Sequence, residues 1–310
     1  EDYCVRAALL SKCDLVTNMV GEFTDLQGLM GYYYALNDGE PEEVAIAINE
    51  QYLPRFSGDA LPATMTGKIL SLADKLDSMV GMFIIKQPPT GSKDPFALRR
   101  SAIGILRILV EEELDLDILD IIDRAILGFD NLEVEPSTKD LIFDFILDRF
   151  KNWYLDEGIS SGVFQSVFSL KPTVPLDFNH RVLAVQHFSK LPESQALAAA
   201  NKRVSNILAK QKIITEIKAV DPLLLKEPAE KALFRNINNK VLEVAPLFSS
   251  NNYRDGLESL VELKDSVDLF FGEVLVICDD AKLRNNRIAL LQQLRSLFLQ
   301  VADISHLHNS

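Results

Sequence analysis

The sequence has little histidine, cysteine or glycine, and each shortage removes a class of chemistry. Its 310 residues include four His, three Cys and 14 Gly. Cys4, Cys13 and Cys278 are odd in number and lack metal-ligand spacing, in a chain long enough to build cores without disulfides, so they read as buried thiols. No histidine precedes His180, which leaves residues 1–179 without the imidazoles a divalent-metal hydrolase relies on. His180, His187, His306 and His308 are scattered and read as surface or tail residues; the two-residue step between the last pair does not place them on one helix face. No Gly-rich phosphate loop, nucleophile elbow or paired-cysteine zinc spacing occurs. No run approaches the roughly 18–20 apolar residues of a bilayer span, and the start, Glu1-Asp2-Tyr3-Cys4, has no basic-then-apolar signal region, so the cytoplasm is the expected location. The start also lacks Met and opens almost directly into a helical pattern, which reads as a piece cut from a longer chain.

What the chain has in excess is acid. The formal net charge of −13 argues against a nucleic-acid binder, because neutralising phosphates needs clustered Lys and Arg. The charge is unevenly spread, however. Residues 196–310 hold 15 Lys and Arg against 14 Asp and Glu, a balance of +1, leaving 17 against 31, or −14, for residues 1–195. If RNA is bound, the last third is the place to look. With 47% hydrophobic and 25% charged residues the chain reads as folded, and its length suggests about two compact units.

Three- and four-residue apolar steps dominate, which predicts an all-α protein. Over 66–85, Ile69, Leu70, Ala73, Leu76, Met79, Val80 and Phe83 form one stripe. The Pro-Pro-Thr-Gly-Ser stretch at 88–92 breaks the pattern, and Asp94-Pro95 supplies a helix cap and first residue for a helix running to about Glu113, with Phe96 facing inward. A loop is expected at 128–139, another at 171–177, a helix from Ser194 to about Lys210, and a last helix opening at Asp279 or Asp280. Val274-Leu275-Val276-Ile277 is rich in strand-forming residues but has helical neighbours and no partner strand, so helix is the expectation there.

Two segments of the first 85 residues resemble the helical HD phosphohydrolase superfamily. Ala8 to Leu15 is similar to its His-Asp helix, and Ile69 to Asp77 to the helix with its last aspartate, so Asp14 and Asp74 fall at the two aspartate positions. Cys13 stands where that pattern has its histidine, and no metal site is expected. Asp14 and Asp74 then read as hydrogen-bonding groups on or between helices. In the last third, Lys202, Arg203, Asn206 and Lys210 fall at helical spacing opposite Leu197, Ala200, Val204, Ile207 and Leu208. A second basic segment holds Lys282, Arg284, Asn285, Arg287 and Arg295. Arg and Asn suit phosphate and base-edge contacts, and Tyr253 or Phe248 could stack on an unpaired base. A merely solvated face explains such runs equally well.

Four blocks in order along the chain resemble the β subunit of bacterial tetrameric glycyl-tRNA synthetase. They are Asp14 to Gly31, Pro89 to Arg100, Leu197 to Leu208, and a fourth from Val267 through Leu283-Arg284, Asn286-Arg287 and Leu290-Leu291 to Ser305. The resemblance covers roughly the C-terminal half of that subunit. It implies an HD-like helical domain (1–92), a helical connector (93–191) and an anticodon-binding helical bundle (192–310) similar to that of arginyl-tRNA synthetase. It also implies that tRNA-Gly and the α subunit are partners in an α2β2 enzyme, with neither membrane nor DNA involved, and that ATP and Mg²⁺ are used on the α subunit, so this chain holds no catalytic residue. Carried over by position, Lys202, Arg203, Asn206, Lys210, Arg284 and Arg287 become candidates for anticodon-arm contacts. Arg99 and Arg100 either reach the acceptor arm or anchor the following helix. Two readings of other kinds remain beside this one: a residual metal phosphohydrolase, and an architectural module that touches no RNA.

Overall fold

The computed structural model describes residues 1–56, 58–210 and 219–309; residues 57, 211–218 and 310 lie outside it, as do the side chains of His308 and Asn309. The all-α expectation holds. Among the described residues the regular structure is helical, and the one β-bridge, Thr90 with Lys93, closes a turn. The chain divides into two compact units, residues 1–153 with 173–176, and residues 154–172 with 177–310, and not at the expected breaks after 92 and 191. The Pro-Pro-Thr-Gly-Ser stretch is a turn inside the first unit, where Arg99 Nη2 donates to the Gly91 carbonyl at 2.7 Å. Leu191-Pro192 is likewise a short turn inside the second, with Ser194 Oγ donating to the Leu191 carbonyl at 2.7 Å.

The first unit contains α1 (Asp2–Leu10), α2 (Asn18–Glu22), α3 (Leu29–Asn37), α4 (Glu42–Glu50), α5 (Met65–Ile84), α6 (Leu98–Glu111), α7 (Ile118–Ile126), α8 (Thr138–Leu147) and the start of α9 (Arg149–Asp156). Its N-terminal core is built from small residues. Ala7, Ala35, Ala45 and Ala47 pack with Val44, Ile48 and Leu70, and Gly31 lies so close to Ile48 that a Cβ there would fall 2.6 Å from Cγ2. Of the expected stripe on α5, Leu70, Leu76, Met79 and Val80 are buried, joined by Leu72, while Ile69 and Ala73 are exposed; α6 offers Leu98, Ala102, Ile105, Leu106 and Leu109 in return.

Residues 173–176 belong to this unit because Asp117 ties them down. Its Oδ1 caps α7 by accepting the Leu119 N–H at 2.8 Å, its Oδ2 accepts the Thr173 hydroxyl at 2.5 Å, and the Thr173 carbonyl accepts the Ile118 N–H at 2.9 Å. Asp117→Ala is expected to cost about 1–2 kcal/mol in a urea denaturation series, and Asp117→Asn clearly less, since asparagine still caps.

The second unit contains the rest of α9, α10 (Ser161–Phe168), nearly all of α11 (Pro175–Ser189), α12 (Ser194–Lys210), α13 (Pro228–Ser249), α14 (Tyr253–Leu260), α15 (Lys264–Glu273) and α16 (Ala281–Leu299). Tyr154 stacks on Phe178 with ring centroids 5.8 Å apart, and Phe164 packs against both. The interior helix is α16, which buries Ile288, Leu290, Leu291, Leu294, Leu297 and Phe298. Arg181 Nη1 closes its C-terminal end by donating to the carbonyls of Gln300 and Val301 at 2.6 and 3.1 Å.

Three local expectations are corrected. Asp94 does cap α6, accepting the N–H groups of Leu98 and Arg99 at 2.9 and 3.0 Å, but a turn over 94–97 intervenes, Ala97 is left-handed at φ 54°, and Phe96 is 52% exposed. Val274 to Ile277 is an extended link, not a helix: Val274 and Val276 are buried while Leu275 and Ile277 are exposed. Its Leu275 carbonyl finds an arginine side chain, that of Arg287, instead of a helical N–H group. The cysteines are not buried; Cys13 is exposed, and Cys4 and Cys278 are half-buried.

Candidate nucleic-acid interface

The ridge expected on α12 is present. Leu197, Ala198, Asn201 and Val204 are buried, which turns Arg203, Asn206 and Lys210 to solvent and leaves Lys202 half-buried. Asn201 is satisfied within the helix, its Nδ2 donating to the Leu197 carbonyl at 3.0 Å. The Arg203 guanidinium lies over the Phe271 ring at 4.4 Å from its centroid, which orients its charge while leaving hydrogen-bonding edges available. Phe271 stands near the end of α15, and residues 274–280 lead from there to the start of α16.

The basic run on α16 resolves differently. Asp280 caps the helix, accepting the N–H groups of Lys282 and Leu283 at 2.8 and 3.2 Å, and Lys282 and Asn285 are exposed. Arg287 is 7% exposed, so its expected place on an RNA-facing surface is corrected. Its Nε donates to Glu230 Oε1 at 2.5 Å and its Nη1 to the Leu275 carbonyl at 2.8 Å. Glu230 is itself fully buried, and its other oxygen accepts the N–H groups of Lys226 and Glu227 at 2.6 and 2.8 Å, opening α13. Arg284 donates from Nη1 to the Cys278 carbonyl at 2.9 Å and remains half-buried, so only part of its guanidinium faces outward. Arg295 is held by Asp303 at 2.5 Å. Two arginines of α16 therefore hold the extended link against the helix.

Neither expected stacking ring is available. Tyr253 is 4% exposed, with its hydroxyl donating to Asp177 Oδ1 at 2.5 Å and the Arg181 guanidinium over its ring. Burial, then the Asp177 hydrogen bond, push its pKa up to about 12. Phe248 packs against Gly256, where a Cβ would lie 2.2 Å from its ring. A surface that periodicity offered and the sequence reading passed over is on α13. Lys231, Arg235 and Asn239 are exposed at four-residue steps, and neither cation has an ion pair among the described residues.

In the first unit, Asp14 is 2% exposed and its Oδ2 accepts the Gly28 N–H at 2.7 Å, whereas Asp74 is paired with Lys12 at 2.8 Å. Lys75, next to Asp74 and close enough to feel Lys12, places an ammonium in this region. A cation site does not fit these residues, and among the described residues no three His, Cys, Asp or Glu converge to hold a metal. Arg99 anchors the 90–93 turn; Arg100 is exposed and makes no hydrogen bond or ion pair among the described residues.

Comparison with known proteins matches residues 2–169 to the family described as glycyl-tRNA synthetase beta subunit, and residues 197–304 to the DALR anticodon binding domain. The chain is 53% identical over 300 residues to the glycine–tRNA ligase beta subunit of Marinobacter nauticus, covering 97% of this chain and 43% of that protein. The subunit from Hahella chejuensis is 52% identical over 308 residues, 99% of this chain and 44% of its own length. That from Pseudomonas aeruginosa is 53% identical over 301 residues, with 97% and 44% covered. The chain thus spans less than half the length of the relatives it matches.

Proposed function

Because this chain belongs to the glycyl-tRNA synthetase β-subunit family, we propose that it is a tRNA-holding part of glycine–tRNA ligase, positioning tRNA-Gly for glycylation on an α subunit. The enzyme is read as a cytoplasmic α2β2 assembly in which ATP and Mg²⁺ act on α. The observation that carries the reading is the ridge of Arg203, Asn206 and Lys210, facing solvent with half-buried Lys202 beside them, which lies inside the range matched to an anticodon-binding domain. Exposed cations at helical spacing can each neutralise a phosphate, and asparagine can read a base edge or the backbone. Lys231 and Arg235 on α13, Lys282, and the outward edge of Arg284 extend the set. The first unit is read as a helical domain of HD-like descent whose former ligand positions now serve packing, since Asp14 and Asp74 both have internal partners.

The test measures binding of tRNA-Gly and a non-cognate tRNA across a salt series, with and without the α subunit. The protein is compared with Lys202→Glu/Arg203→Glu. Cognate binding is expected to be tighter, to fall linearly in log–log form with salt, and to weaken about tenfold or more in the double variant, with a salt slope reduced by roughly one to two. An unchanged affinity and slope in that variant would reduce α12 to a solvated face and favour a purely architectural role.

A further inference from the structure

The first unit holds an open cavity of about 580 Å³, within the size range of small-ligand sites. Four stretches line it: the turn Thr24–Leu26 with Gln27, residues 51–55, α5, and the approach to α6. Its lining is not that of an apolar packing defect. Phe96 exposes 52% of its surface there and contacts no other ring among the described residues. Arg100 is exposed and unpaired among them, and Arg55 is exposed with its guanidinium held only by a 3.4 Å hydrogen bond to Asn49 Oδ1. Tyr52, whose ring packs under Lys12 at 4.4 Å, carries a buried hydroxyl without a hydrogen-bond partner among the described residues, and Gln51 has a buried Oε1 in the same condition. Asp74 is neutralised by Lys12, so Asp25 is the one lining acid without an ion pair.

We infer that this cavity takes one unpaired nucleotide of RNA, with its base against Phe96 and its phosphate at Arg55 and Arg100. An exposed aromatic and two exposed guanidinium groups lining one cavity offer both halves of a nucleotide their usual partners, stacking for the base and charge-assisted hydrogen bonds for the phosphate. Asp25 accepts hydrogen bonds but donates none, and Gln27 both accepts and donates. Either can therefore pair with a base edge, Asp25 with an amine or ring N–H and Gln27 with a donor or an acceptor. The inference rests on reading the chain as tRNA-binding and adds a second contact region, in the unit that lacks the anticodon-binding match.

The experiment titrates the whole protein with CMP, AMP, UMP, inorganic phosphate and a single-stranded trinucleotide, following amide NMR shifts and the fluorescence of Phe96→Trp. Shifts are expected to cluster at residues 24–27, 51–55 and 96–101, with the trinucleotide binding tighter than any mononucleotide. Phe96→Ala is expected to weaken binding roughly tenfold and Arg100→Glu at least as much, whereas Phe96→Trp retains it and is quenched on binding. Both side chains are exposed, so circular dichroism should show unchanged folding. Phosphate competing as well as CMP, or affinities indifferent to Phe96→Ala and Arg100→Glu, would overturn the inference. Loss of tRNA binding in Lys202→Glu/Arg203→Glu with no nucleotide effect at the cavity would overturn it while the tRNA reading stands. Nucleotide shifts at the cavity in a chain that ignores tRNA would support the site and sink that reading.

Discussion

Arg287→Met is expected to destabilise the second unit by about 3–5 kcal/mol, because it leaves Glu230 as a buried carboxylate without its counter-charge. The two side chains are 8% and 1% exposed, so water cannot take over the role of the lost guanidinium. The same change removes the donor to the Leu275 carbonyl, loosening the extended link between α15 and α16. Adding Glu230→Gln to Arg287→Met should recover roughly 1–2 kcal/mol, since the amide oxygen can still accept the Lys226 and Glu227 N–H groups at the start of α13 without carrying an unpaired charge. Guanidinium denaturation of the four proteins, read as a double-mutant cycle, checks both numbers. A loss below about 1 kcal/mol in Arg287→Met would mean that the pair is exposed to solvent in solution. Any tRNA-binding defect of Arg287 variants should accordingly track the folded fraction, while Lys202 and Arg203 variants weaken binding with stability intact.

This distinction is where sequence and structure part. Helix periodicity made the architecture legible: α5 and α12 begin and end within a residue or two of where apolar steps and Ser194 placed them, and α16 opens at the Asp280 cap. The α12 ridge was legible for the same reason, since a period of 3.6 separates Val204 and Leu197 from Arg203 and Asn206 whatever the tertiary context. Arg287 was not. On α16 both faces are largely buried, so charge along the helix no longer marks a solvent side, and the partner Glu230 lies 57 positions away. Tyr253 and Phe248 failed as stacking rings because aromatic identity does not report burial. Val274 to Ile277 was misread as helix because the Leu275 carbonyl and, just beyond, that of Cys278 are satisfied by Arg287 and Arg284, partners that local propensity cannot reveal. The breaks that the resemblance implied after 92 and 191 fall at turns inside the two compact units; a turn separates units only when few contacts cross it, and α5 packs directly on α6 across 85–97.

The second large effect concerns Lys75, and it should appear as a rise in stability of the first unit with pH. Lys75 is 7% exposed, and its ammonium is surrounded by acceptors rather than by carboxylates: the Gln51 carbonyl at 3.2 Å, the Leu53 carbonyl at 2.8 Å and Ser71 Oγ at 2.7 Å. Burial lowers its pKa from 10.5 to about 8; Asp74 opposes the drop and Lys12 adds to it. A lysine whose pKa is lower folded than unfolded binds fewer protons in the native state, so stability increases with pH between the two values. The full difference corresponds to about 3 kcal/mol, of which roughly 2 should be gained between pH 7 and 9.5. The second unit behaves oppositely above about pH 10, because burial raises the pKa of Tyr154 and Tyr253, so that its unfolded chain loses those protons first and its stability falls. Hydrogen exchange of α5 amides, corrected for the intrinsic pH dependence, isolates the first unit's opening free energy. In Lys75→Met the rise between pH 7 and 9.5 should vanish. At neutral pH that variant loses a costly buried charge but also the donor that satisfies the 51–53 carbonyls, and these effects oppose each other. If the unmodified protein shows no rise either, water reaches the ammonium and Lys75 is solvated within the cavity rather than held against the turn.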